Sequence, residues 1–226
     1  MSESLKFIFS LSILFPAVAS IFRYRNADAS YRPFLIWIFI SVLNELWVGL
    51  YIGDSRDLSI LNWHLFMLVE CLILLIQFYY WGRFKKALYL FYLLLLLTVA
   101  GWLYENFIYS SIYVYNSGFL IAYSFVLVLL SINTINIIVA QHNQMLYKNG
   151  QFIICVAMII FFIYQIFVFL FLAMDIRDNK LLVKIFDIRV YINAFTNILY
   201  AIGIYYIPER GVHDAFFKKQ QKKNML

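Results

Sequence analysis

Long apolar runs alternate with short polar segments along the whole sequence. A helix that crosses the roughly 30 Å hydrocarbon core of a bilayer needs about 20 mainly apolar residues. Seven runs approach or exceed that length, and the polar segments between them are short. The runs extend from Phe7 to Phe22, Pro33 to Ile52, Ile60 to Trp81, Ala87 to Tyr104, Ser117 to Ala140, Phe152 to Met174 and Leu182 to Ile207. The pattern predicts about seven transmembrane segments.

The apolar runs are continuous, which favours helices over the strands of a membrane barrel. Barrel strands are about 10 residues long and alternate in polarity. In hydrocarbon a helix satisfies its backbone N–H and C=O groups within its own segment. We therefore predict an all-α polytopic membrane bundle, with residues 1–207 as a single seven-helix transmembrane domain and residues 208–226 as a basic cytoplasmic tail.

Composition supports a membrane protein. Soluble domains are about 45–50% apolar and about 25% charged, whereas this chain is 64% hydrophobic and 13% charged. The excess apolar surface must face the lipid bilayer. The net charge of +6 comes from basic residues in short loops beside the apolar runs. Nucleic-acid binding uses basic residues gathered on one face, so this distribution argues against it.

The distribution of lysine and arginine predicts the orientation of the chain in the plasma membrane. Cytoplasmic loops carry an excess of these residues. With the N-terminus outside and the C-terminus cytoplasmic, the inner segments contain many basic residues and the outer segments contain few. The inner set is Arg23, Arg25, Arg32, Arg83, Lys85, Lys86, Lys148, Arg210, Lys218, Lys219, Lys222 and Lys223. The outer set is Lys6, Arg56, Arg177, Lys180 and Lys184.

The first run allows a second interpretation. Lys6, the apolar stretch and Ala17-Val18-Ala19 together resemble a cleavable signal peptide. Cleavage after Ala19 would invert every later loop, and the charge distribution opposes that arrangement.

A few ionisable residues lie within the apolar runs. Such groups cost several kcal/mol to bury unless they are paired or hydrated, so each is a candidate functional residue. Glu45 lies near the middle of the second run and Glu70 near the middle of the third. His64 lies towards the outer end of the third run, and Asp187 and Arg189 lie in the outer third of the seventh.

Helical spacing predicts which polar residues share a face. Ser41 and Glu45 are four residues apart, and Asn44 beside Glu45 widens the polar patch. Arg189 and Asn193 begin a similar stripe on the seventh run. If the second, third, sixth and seventh helices are neighbours, these polar residues line a cavity between them, and we predict that this cavity opens outward.

The charges of these candidates do not balance. Glu45, Glu70 and Asp187 face one certain cation, Arg189, and one conditional cation, His64. A carboxyl in a low-dielectric environment favours its neutral form. We therefore predict that Glu45 or Glu70 is neutral at pH 7 and binds a proton or a small polar or cationic ligand. The simpler interpretation is that these polar residues only hydrogen-bond one helix to another.

The sequence lacks the residues that several known activities require. A retinal pigment requires a lysine midway along the last helix, but Lys184 lies at its outer edge. The sequence contains no G-x-S-x-G elbow, P-loop or dinucleotide fingerprint, and His64 lies far in depth from the other two histidines. We therefore expect no metal and no cofactor, and we favour a protein that is not an enzyme.

The number of predicted helices and their polarity match those of seven-helix receptors, and this analogy is one of topology alone. We predict a sensor or signal-relay protein with an outward-facing polar pocket, which acts through a separate cytoplasmic partner protein. The alternatives are a small proton-coupled transporter, a membrane enzyme that acts on a lipid with Glu45 and Glu70 as acid and base, and a subunit whose polar residues only assemble a complex.

Overall fold

The computed structural model describes residues 11–52, 55–141, 145–173 and 179–210, and all regular elements in these ranges are helical. Seven α-helices are present in the described chain: α1 (Leu14–Arg23), α2 (Arg32–Trp47), α3 (Arg56–Tyr80), α4 (Leu88–Leu103), α5 (Gly118–Gln141), α6 (Gly150–Ala173) and α7 (Asn179–Tyr205). The start of the first predicted run (residues 7–10) and most of the predicted tail (residues 211–226) lie outside the described residues.

Five of the helical segments are long and apolar enough to cross a membrane. They are Ala29–Tyr51, Arg56–Tyr80, Leu88–Tyr109, Gly118–Ala140 and Gly150–Leu172. The chain is therefore a multi-pass membrane protein, and the predicted all-α class is confirmed. The described part of α1 has only 10 residues, and α7 carries charged and amide side chains along its length. Membrane crossing by α1 and α7, and the orientation of the termini, stay predictions.

Two helices end in a π-helical turn. Val48–Ile52 continues α2, and Tyr104–Tyr109 continues α4. We call the end of the bundle that contains these turns the outer end. The other end, with residues 24–31, 81–87 and 145–149, is the inner end and carries most of the arginine and lysine residues of the described chain.

The helices form a closed ring. Helix α1 packs against α2 and α7, α2 packs against α3, and α3 also contacts α5, after which α5, α6 and α7 complete the circle. Helix α4 lies outside the ring, where it contacts α3 and α5. This arrangement places one face of α2, α3, α5, α6 and α7 towards a common interior.

At the inner end, Gln77 joins α2 to α3. Its Oε1 accepts a 2.7 Å hydrogen bond from the Phe34 backbone N–H, and its Nε2 donates a 2.7 Å bond to the Ser30 carbonyl. The first N–H groups of a helix have no partner within the helix. Gln77 is fully buried, so it supplies such a partner where water cannot.

The ring is closed at the inner end by contacts between the segments that follow α1 and α7. Arg23 donates to the backbone carbonyls of Tyr205 (2.6 Å) and Ile207 (3.2 Å) and forms a 3.2 Å ion pair with Glu209. An isolated antiparallel bridge pairs Ala27 with Glu209. A cation at this position satisfies the last carbonyls of α7 and interacts favourably with its dipole.

Helices α6 and α7 approach closely at Gly150 and Gly203. A Cβ atom on Gly150 would lie 2.6 Å from the Gly203 carbonyl oxygen, which is shorter than any normal contact. Glycine at both positions therefore sets the distance between the two helices near the inner end.

Candidate functional site

The inward face of α2 is buried along most of its length. Phe34, Ile38 and Ser41 are 0%, 0% and 4% exposed. Glu45 continues the same face one turn further outward, because residues separated by three and four positions share a helix face. Nevertheless, Glu45 is exposed. This face of α2 is therefore packed from Phe34 to Ser41 and accessible at Glu45, and we call the accessible region at the level of Glu45 the opening.

Helix α7 shows the same loss of burial towards its outer end. Tyr200 and Asn197 are 2% and 3% exposed, and the Asn197 amide donates a 2.9 Å hydrogen bond to Ser12 in the turn before α1. Asn193 and Arg189, further outward on this face, are only half-buried.

Helix geometry places Glu45 and Arg189 opposite each other. The rings of Phe34 and Tyr200 are in contact, with centroids 5.4 Å apart. Glu45 lies eleven residues outward of Phe34, and Arg189 lies eleven residues outward of Tyr200. Eleven residues make about three helical turns and roughly 16 Å of rise, so each charged residue returns to the face of its aromatic partner at the same height.

Arg189 interacts electrostatically with side chains from the helices around it. Its charge acts on Glu45 of α2 and on Glu70 of α3. It also acts on Tyr123 of α5 and Tyr164 of α6. No ion pair joins Glu45 to Arg189 in the described chain, so the two charges act on each other across the opening.

Glu70 and Tyr123 form the floor of this opening. The Tyr123 hydroxyl donates a 2.8 Å hydrogen bond to Glu70 Oε2, and both side chains are buried. Trp37 and Tyr200 lie near Glu70 without a hydrogen bond of normal geometry to it. The Trp37 indole N–H and the Tyr200 hydroxyl have no hydrogen-bond partner among the described residues. The floor thus combines one carboxyl group with three groups that can donate a hydrogen bond.

Aromatic residues surround the outer mouth of the opening. Trp63 stacks on Tyr115 with a centroid distance of 4.2 Å and an interplanar angle of 13°. Phe169 of α6 lies against the same Trp63 ring at 5.7 Å. Burial raises the pKa of the Tyr115 hydroxyl, and the nearby Arg189 charge opposes that rise. The loop between α4 and α5, which contains Tyr115, therefore lies beside the mouth.

His64 holds this loop and is not part of the group around Arg189. It is fully buried, and its Nε2 hydrogen-bonds the Val114 carbonyl oxygen at 3.0 Å. Its own carbonyl accepts a 2.9 Å bond from the Trp102 indole N–H. The start of α5 is fixed nearby, because the Glu105 carboxyl accepts hydrogen bonds from two backbone N–H groups of that helix.

The other predicted site residues lie in different environments. Asn44 accepts a 2.9 Å hydrogen bond from the Asn62 amide and lines a groove between α2 and α3 on the outside of the ring. The carbonyl of half-buried Asn193 accepts a bond from Thr196. Asp187 is half-buried near the outer end of α7. Of the sequence candidates, Glu45 and Glu70 both interact electrostatically with Arg189, and Asp187 also takes part in an interaction.

Sequence reasoning missed the tyrosines of this site. Tyr123 and Tyr164 occur within apolar runs, whereas tyrosine in membrane proteins is enriched at the ends of such runs. The position of these two tyrosines within apolar runs, away from the run ends, was the sequence signal that could have identified them. The Tyr164 hydroxyl donates to the Ile185 carbonyl and so links α6 to α7. Trp81 and Trp102 fall at the ends of apolar runs, where aromatic rings are usually interfacial, but each is only 7% exposed.

The arrangement can bind a ligand through opposite charges and hydrogen bonds. Among the residues that the structure describes, no three His, Cys, Asp or Glu side chains come together as a metal site would require. No protein-family model, curated protein or solved structure matches this chain.

Proposed function

We propose that the chain is a seven-helix sensor or signal-relay protein of the plasma membrane. In this proposal a small polar ligand binds from outside between α2, α3 and α7, and a separate cytoplasmic protein receives the signal. The observation that carries it is the exposure of Glu45 on a helix face that is otherwise buried, opposite Arg189.

The packing of the inner half gives the closed inner side that a sensor requires. Below the opening, the ring of Tyr200 contacts both Phe34 and Trp37, with centroid distances of 5.4 and 5.5 Å. The contacts of Arg23 and Ala27 with the segment after α7 close the ring further inward. A sensor needs an opening on one side only, whereas a transporter opens to the two sides in turn during its cycle, so accessibility measured from each side separates the two functions.

The lateral groove gives no support to a lipid-modifying enzyme. Such an enzyme would place its two carboxyl groups where lipid can enter between helices. The groove between α2 and α3 instead holds the amide pair Asn44 and Asn62, with apolar residues such as Leu43 and Phe66 around it.

Cysteine labelling from each side of the membrane tests the proposal. The two native cysteines, Cys71 and Cys155, are 2% and 0% exposed, so the unmodified chain gives a low background. We expect Glu45→Cys to react with a membrane-impermeant thiol reagent in intact cells and not in sealed inside-out vesicles. The thiolate is the reactive form, and it forms only where water reaches the sulfur.

Two further variants control this experiment. Leu43 lies two residues from Glu45, on the lipid-facing side of α2, and is 64% exposed. Leu43→Cys should not react, because hydrocarbon surrounds this position. Tyr200→Cys lies below the opening and should not react from either side. Labelling of Glu45→Cys from both sides would support a transporter, and labelling from neither side would contradict an open interior.

A further inference from the structure

We propose that the ligand is a zwitterion of the α-amino acid type with an apolar, preferably aromatic, side chain. This inference rests on the proposed function, because it specifies the ligand of the same opening. It assigns the ligand ammonium group to Glu45, the ligand carboxylate to Arg189, and the ligand side chain to the aromatic residues at the mouth.

Glu45 and Arg189 supply one negative and one positive group at the level of the opening. Glu45 and Arg189 stand at the same height on facing helices and do not form an ion pair with each other. Glu70 lies deeper and is already hydrogen-bonded by Tyr123. Burying an uncompensated charge is costly, and each charged group of a buried ligand needs its own partner. One carboxyl and one guanidinium supply those partners for a zwitterion.

The heights of the residues indicate where the ligand side chain would lie. Gln77 hydrogen-bonds the Phe34 backbone, so the two residues are at one level. Glu70 lies seven residues outward of Gln77, and Trp63 lies seven residues outward of Glu70. At 1.5 Å per residue, Trp63 lies roughly 5 Å outward of the level of Glu45 and Arg189. A ligand held by these two charges therefore meets Trp63, Tyr115 and Phe169 with the part that points outward.

The aromatic cluster favours a flat apolar group over an aliphatic one. Trp63 and Tyr115 are stacked nearly parallel, at 13°. Trp63 is half-buried and Tyr115 is 46% exposed, so part of each ring remains free for contact. Aromatic pairs attract each other by more than the area that they bury accounts for.

A matched set of three compounds tests the charge assignment. L-phenylalanine carries both charges, 2-phenylethylamine lacks the carboxylate, and 3-phenylpropionate lacks the ammonium group. We expect L-phenylalanine to raise the melting temperature of the purified chain in phosphatidylcholine nanodiscs. Each singly charged analogue should need at least about tenfold higher concentration for the same shift, since hydrogen-bonded charges in such sites contribute about 1.5–3 kcal/mol.

Charge-neutralising variants assign each group. Glu45→Gln should lose the preference for L-phenylalanine over 3-phenylpropionate, and Arg189→Gln should lose the preference over 2-phenylethylamine. Arg56→Gln and Asp57→Asn remove the same charges from exposed positions at the outer end of α3, and both preferences should persist in them.

Three results would overturn the inference. They are equal shifts with all three compounds in the unmodified chain, unchanged preferences in both site variants, or no shift with any standard L-amino acid. The first and third need no variant, so they hold even if a variant does not fold. One-sided labelling of Glu45→Cys alongside any of these results would retain the sensor and reject only the ligand class.

Discussion

The Tyr123 hydroxyl on α5 donates a 2.8 Å hydrogen bond to Oε2 of Glu70 on α3, in the interior of the helix ring. Glu70 is 6% exposed and Tyr123 is 5% exposed, so water outside the bundle does not compete for either group. The bond joins helices that are far apart in the sequence and places the only fully inward carboxyl of the described α3 directly beneath the opening.

Removing the Tyr123 hydroxyl should destabilise the fold only while its acceptor is present. We expect Tyr123→Phe to lower the free energy of unfolding by about 1–3 kcal/mol, because it leaves a buried acceptor with one partner fewer. In a Glu70→Leu background the same change should be nearly neutral. Unfolding of the four proteins in mixed detergent micelles measures this coupling, and equal costs in both backgrounds would show that the bond contributes nothing.

Replacing Gln77 should destabilise the fold more than replacing Gln165, which is also buried. Gln77→Leu removes two 2.7 Å hydrogen bonds and leaves the Phe34 N–H and the Ser30 carbonyl without that partner. We expect a loss of about 2–4 kcal/mol in unfolding free energy. Gln165→Leu is the matched control, since Gln165 is also buried but its side-chain oxygen has no partner among the described residues. A larger effect at Gln165 would contradict the role given to Gln77.

The contact of α6 with α7 should tolerate no side chain at Gly150. The added Cβ in Gly150→Ala would meet three backbone atoms within 3.1 Å, and backbone cannot rotate away as a side chain can. Overpacking of this kind costs about 1–3 kcal/mol. Gly101→Ala is the control, because the nearest atom would lie 4.0 Å away, and it should leave the melting temperature unchanged or slightly higher.

Arg23 should stabilise the fold through its backbone contacts more than through its ion pair. Glu209 is 63% exposed, and exposed ion pairs contribute about 0–1 kcal/mol. We expect Glu209→Gln to have little effect and Arg23→Gln to cost about 1–2 kcal/mol, because the carbonyls at the end of α7 lose their donor. Thermal unfolding at low and high salt separates the contributions. Equal effects of the two variants would assign the whole contribution to the ion pair.

The helices could be predicted because membrane segments are long, apolar and continuous. The predicted run from Ser117 to Ala140 corresponds to α5 within one residue at each end. The π-helical turns could not be predicted, since no sequence signal marks the insertion of one residue into a turn.

The candidate site could be predicted only in part. Helical periodicity identifies the face on which a residue lies but not which neighbour that face meets. Periodicity placed Glu45 and Arg189 on stripes that face the interior. It could not distinguish Asn44 from these site residues, although Asn44 hydrogen-bonds Asn62 on the outside of the ring. Nor could it place Tyr115, because a loop that returns to the bundle has no periodicity.

The ring closure described for Arg23 and Ala27 also constrains how the protein is made. Helix α1 is synthesised before the other described helices, but the carbonyls and the backbone bridge that complete its inner end belong to residues 205–209. These partners emerge from the ribosome only after the other helices have been synthesised. During that interval α1 has only part of its final contact surface, so its inner end cannot complete its fold until synthesis has passed residue 209.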